Sequence, residues 1–103
     1  MKVVAQINEN AKHAKITFDA DGQFLYLVYG GELDAMKMVK ILVTKDTLQS
    51  GDFEQTEVIN DLQFDDTFDQ SDFVSFPGMS SFYFLRYRQK SSFGDFDLIF
   101  RKF

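Results

Sequence analysis

The chain has 103 residues, a formal charge of −5, 45% hydrophobic and 26% charged residues, and no cysteine. That length supports one buried core and excludes a second, the composition does not suit a disordered chain, and the lack of Cys excludes disulfide frameworks, thiolate metal sites and thiol nucleophiles. The longest apolar run, Phe24 to Tyr29, spans six residues, far below the ~20 that a membrane-spanning helix needs.

The opening KVVAQI, residues 2–7, alternates Val3, Ala5 and Ile7 on one face and reads as a strand. The opening MKVVAQINENAKHAK has no long apolar core, so a signal peptide is not expected, and the absence of Cys favours a cytoplasmic origin. Residues 13–29 hold two alternating runs around Asp21-Gly22, a pair suited to a tight hairpin because both central positions take positive φ. That turn pairs Phe18 with Leu25, Ile16 with Leu27 and Ala14 with Tyr29, all on one apolar face.

Residues 32–45 are ambiguous. A helical wheel clusters Ala35, Met36, Met38, Val39, Leu42 and Val43. Against a helix stand the β-branched Val39, Ile41 and Val43 and the lack of a Ser or Thr N-cap. The strand version turns at Gly30-Gly31 and extends toward Leu48. Ser50-Gly51-Asp52 reads as a turn, Phe53 to Ile59 as a weak strand, and Asn60 to Asp72 as loop. Phe73 to Phe76 and Met79 to Leu85 flank Pro77-Gly78, which suits the centre of a type II turn.

For the last hairpin, a four-residue loop at Ser91 to Gly94 sets Arg88 against Asp97, Lys90 against Asp95 and Tyr87 against Leu98. This register turns Tyr83, Leu85, Tyr87, Phe96, Leu98 and Phe100 inward and aligns two opposite-charge pairs outside. The expected architecture is all-β, an antiparallel sandwich or partly open barrel of five to eight strands in one domain, with α+β carrying one helix near 32–45 as the alternative.

Catalytic signals are weak, and a non-enzymatic protein without cofactor is expected. His13 is the only His, and no Gly-x-Ser-x-Gly elbow accompanies it. Asp19-x-Asp21-Gly22 puts its Gly too early for a calcium loop. Arg86 and Arg88 interleave with aromatics, but Asp95, Asp97 and a pI of about 4.6 argue against nucleic acid.

The charge is concentrated. Residues 52–72 carry eight acidic and no basic side chains, and 73–85 carry none of either. Within the acidic stretch Asp61, Asp65, Asp66, Asp69 and Asp72 interleave with Phe64 and Phe68. A block of like charge resists burial, so it belongs at the surface, where it can dock on a basic protein with Phe64 or Phe68 as anchors. The expected class is a small inhibitor, immunity or anti-defence type of protein. Two alternatives are a β-sandwich holding Ca²⁺ or carbohydrate, and a structural subunit of a phage or secretion assembly, the latter suggested by the uncharged 73–85 run.

Overall fold

A computed structural model of the chain describes residues 2–19, 21, 23–64, 68–88 and 95–102; at 56, 57, 79, 80 and 88 it describes the backbone alone. The elements are β1 (Lys2–Ile7), β2 (His13–Phe18), β3 (Phe24–Gly30), β4 (Met36–Leu42), α1 (Lys45–Ser50), β5 (Gln55–Leu62), β6 (Phe73–Phe76), β7 (Met79–Arg88) and β8 (Phe96–Lys102). The strands form two antiparallel sheets packed together, sheet I in the order β1-β8-β7-β6 and sheet II in the order β2-β3-β4-β5. The all-β sandwich expected from the sequence is the architecture observed.

The β2–β3 hairpin has the expected register, with Phe18 on Leu25, Ile16 on Leu27 and Ala14 on Tyr29. Gly22 lies outside the described residues, but the closure of the turn does not. The Asp19 carboxylate accepts the N–H groups of Gln23 (2.9 Å) and Phe24 (3.1 Å), which satisfies donors at the strand start. Pro77-Gly78 joins β6 to β7, and Gly78 takes φ 79°, the value position i+2 of a type II turn requires.

The ambiguous segment is a strand. Met36–Leu42 pairs with β3 on one side and β5 on the other, so these residues do not form the helix weighed for 32–45. Two ladders on a β-branched run outweigh the weak helical wheel. The strand ends at Leu42, short of Leu48, because Thr44 starts a short helix instead. The Thr47 N–H donates to Thr44 Oγ1 (3.2 Å) and the Thr44 N–H donates to Thr47 Oγ1 (2.7 Å), a reciprocal capping box. Gly51 closes α1 at φ 75°. Leu48 is its one buried residue and joins the core.

The core lies between the sheets. Sheet II contributes Ala14, Ile16, Leu25, Leu27, Tyr29, Val39 and Ile41, and sheet I contributes Ala5, Ile7, Phe84, Phe96, Leu98 and Phe100. Phe84 is fully buried and meets Phe18, Phe53 and Phe100 at ring separations of 5.1–5.9 Å. Removing such a ring costs about 3–5 kcal/mol.

The last hairpin differs by one residue from the expected register. Arg88 pairs with Phe96, Tyr87 with Asp97, Arg86 with Leu98 and Phe84 with Phe100. A one-residue slip exchanges the two faces. Phe82, Phe84 and Arg86 therefore point inward, and Tyr83, Leu85 and Tyr87 point outward. Arg88 does not oppose Asp97, and the loop at 91–94 and Lys90 lie outside the described residues. Both parities of β7 are aromatic, so alternation alone does not choose between them; Phe84 inside brings ring contacts from both Phe18 and Phe53.

Candidate functional site

The acidic stretch begins beside α1, follows β5 at the edge of sheet II, and rounds the far end of the sandwich to reach β6. At the α1 end Asp52 forms an ion pair with Lys2, tying the start of β1 to the approach of β5. An open cleft of about 430 Å³ lies there, lined by Lys2, Val3, Leu42, Thr47, Gly51, Asp52, Phe53 and Glu54.

Asp61 ends β5 in a bulge. Met38 pairs with Ile59 but Met36 pairs with Leu62, so β5 carries an extra residue there. Asp61 absorbs the bulge with φ 61°, the left-handed region that few non-glycine residues adopt. Its side chain is exposed.

Beyond β5 the chain crosses the β3–β4 loop, where the Phe64 N–H donates to the Leu33 carbonyl at 2.7 Å. Phe64 is 38% exposed and stands edge-on to Phe68 at 5.0 Å; Phe68 in turn stands edge-on to His13 at 6.1 Å. These rings belong to the outer side of sheet II and not to the core. Next to His13 on that side, a Cβ at Gly30 would come within 2.8 Å of Met36 Sδ, so the sulfur lies across the glycine and Met36 is fully buried. Asp69 is exposed. Asp65 and Asp66 lie outside the described residues.

The segment is then fastened to the edge of β2. Ser71 Oγ accepts the Ile16 N–H (2.9 Å) and donates to the Ile16 carbonyl (2.8 Å), and the Ser71 N–H donates to the Ala14 carbonyl (3.2 Å). Asp72, expected as a free partner-binding carboxylate, is engaged within the chain. It accepts from Arg86 Nη2 at 2.6 Å, and its carbonyl accepts the Arg86 N–H at 2.8 Å.

Arg86 is the least expected member of this end. Its side chain is only 6% exposed, on the inner face of sheet I, with the guanidinium 5.5 Å from the Phe96 ring centre. Phe96 stands edge-on to Tyr29 at 6.2 Å. Among the described residues, Nε of Arg86 is buried without a hydrogen-bond partner, as is Oδ1 of Asp95. Burial pushes the Tyr29 hydroxyl above its usual value, with Glu9 adding to the rise and Lys37 opposing it. Lys37 donates to Glu9 at 2.8 Å, and that hydrogen bond holds its ammonium above the usual lysine value.

The stretch thus divides. Asp52 and Asp72 are matched by Lys2 and Arg86, whereas Asp61 and Asp69 are exposed and form no ion pair among the described residues. Between them stand Phe64 and Phe68. Among the described residues no three His, Cys, Asp or Glu side chains converge as metal ligands, and no helix is long and apolar enough to cross a membrane.

A second surface takes in part of the uncharged 73–85 run. The outer face of sheet I carries Val3 (44% exposed), Phe73 (53%) and Tyr87 (47%) with Leu85, Tyr83 and Ile99. The strand pairing aligns Val3, Ile99, Leu85 and Phe73 in one row across four strands. The signal that could have found it is the equal aromatic content of both faces of β7, which leaves one aromatic set outside whichever register holds.

No protein family, curated protein or solved structure matches the chain.

Proposed function

We propose that the protein is a small, non-enzymatic binding protein of the inhibitor, immunity or anti-defence type, acting in the cytoplasm by docking its acidic segment onto a basic surface of another protein. The observation that carries this reading is the exposed Phe64, braced by Phe68 and lying in sequence between the exposed Asp61 and Asp69, which form no ion pair among the described residues. A partly exposed aromatic among acids supplies an anchor that buries apolar area and a field that steers a cationic partner. Asp65 and Asp66 fall in the same run of sequence and add to that field. Asp72 contributes by holding the end of the segment against Arg86.

The test compares two variants of equal charge. Asp61→Asn/Asp69→Asn removes two charges at the site, and Asn tolerates the left-handed conformation at 61. Asp21→Asn/Asp46→Asn removes two exposed charges at the opposite end of the sandwich. Binding of a labelled oligo-arginine peptide is followed by fluorescence anisotropy across a salt series. The site variant is expected to lose roughly fivefold or more in affinity and to flatten the salt dependence, with the control close to the parent. Equal losses in both variants would show that bulk charge alone attracts the peptide, and the assignment of the site would fall.

A further inference from the structure

The fold protects its strand edges and leaves one sheet face bare. β1 carries an extra residue where Val3 pairs with Ile99 but Ala5 pairs with Leu98. β5 carries extra residues at both ends of its ladder. The edge of β2 is covered by Ser71, and β6 has only four residues. Bulges, caps and short edge strands all oppose edge-to-edge pairing with other chains. The outer face of sheet I carries Val3, Leu85, Phe73 and Tyr87 as an apolar and aromatic centre.

The charges on this face are self-complementary. On central strand β8 the outward positions run Asp97, Ile99, Arg101. A two-fold axis lying in the interface, across the strands at the level of Ile99, reverses the strand direction of the second copy. It sets Asp97 over Arg101 of that copy and Arg101 over its Asp97. The same axis sets Tyr87 over Tyr83, while Val3, Leu85 and Phe73 meet their own counterparts. Facing sheets cross at about −30°. A charge about 7 Å from the axis is then displaced by only about 3–4 Å, within reach of an arginine side chain. Ile99 is 1% exposed, so the contact is made by the larger side chains around it.

We propose that the outer face of sheet I is a two-fold, face-to-face dimer interface between copies of this chain. This goes beyond the acidic-segment reading and does not depend on it. Four strands about 4.8 Å apart, over about five residues, give roughly 300 Å² on each copy. The summed area is well under the ~1,200 Å² that marks the weak end of specific interfaces. The dimer is therefore reversible and sensitive to concentration. Asp97 and Arg101 also interact within their own chain, and the exchange of partners is what a charge swap reads.

Sedimentation velocity from ~10 µM to ~1 mM, the range where so small an interface associates, tests this. The parent is expected to shift toward dimer mass as concentration rises. Asp97→Arg and Arg101→Asp each place like charges opposite one another and should weaken the dimer at least about tenfold; the doubly swapped chain should recover to within about threefold. Tyr87→Lys, at a side chain exposed enough to leave folding intact, should also give monomer. A parent that stays monomeric to ~1 mM overturns the proposal, as does a dimer indifferent to Tyr87→Lys or a double swap that fails to restore association.

Discussion

Removing Asp72 should destabilise the protein more than removing Arg86, although the two form one ion pair. The pair is asymmetric: the Arg86 side chain is 6% exposed and that of Asp72 is 60% exposed. Asp72→Ala strips the guanidinium of its anion and leaves it 5.5 Å from the Phe96 ring centre, with Nε lacking a partner among the described residues. Breaking a fully buried pair by removing one partner costs about 3–5 kcal/mol, and access of water at the exposed carboxylate side reduces this to about 2 kcal/mol. For a domain of this size that lowers Tm by about 8–15 °C. Arg86→Leu instead places an apolar side chain opposite Leu98 and returns Asp72 to water, so it should stay within about 1 kcal/mol of the parent. The Asp72→Ala/Arg86→Leu chain should match Arg86→Leu alone, giving a coupling equal to the Asp72→Ala loss, about 2 kcal/mol. Urea unfolding followed by far-UV circular dichroism measures all four; the chain has no Trp to serve as a fluorescent reporter. If Arg86→Leu proves the more damaging, or the two single losses simply add, the buried guanidinium is not held as argued.

Three further outcomes follow from the geometry. Asp61→Gly should raise stability by up to about 1 kcal/mol, because glycine takes φ 61° without the cost that a Cβ brings; a loss above 1 kcal/mol in urea melts would place an unrecognised contact at the Asp61 carboxylate. Tyr29 and Lys37 both have folded-state values above their ordinary ones, so the unfolded chain releases those protons first as pH rises. Their contribution is present below about pH 10 and is lost above it; Tyr29→Phe should flatten the fall in unfolding free energy between about pH 9 and 11, and an unchanged slope would clear Tyr29. Thr44→Ala removes the cap of α1 and should cost about 1 kcal/mol, with Leu48 and the core around it registering the loss in amide exchange before the β2–β3 hairpin does.

The legible parts of this fold are the ones whose signals are local. Asp21-Gly22 between two alternating runs specifies the β2–β3 register, because one face of each run is apolar and the other is mixed. Pro77-Gly78 locates the β6–β7 turn through its own backbone preferences. The described carboxylates of the acidic stretch, Asp52, Glu54, Asp61, Asp69 and Asp72, were legible as surface, since burying charge without partners is costly. Which carboxylates are spoken for was not legible. Lys2 is 50 residues from Asp52, and Arg86 becomes a partner of Asp72 only through the β6–β7 pairing.

Composition and spacing by themselves determined the class: an all-β chain with one short acidic run outside its core. Only the tertiary structure decided whether 36–42 is strand or helix, and which face of β7 is inside. Period-two and period-3.6 patterns overlap over seven residues, and a strand with aromatics on both faces holds no internal record of its orientation. Those choices were made by the neighbours, β3 and β5 for the first and Phe18, Phe53 and β8 for the second, and they placed Arg86 within the sandwich and Tyr87 on its surface.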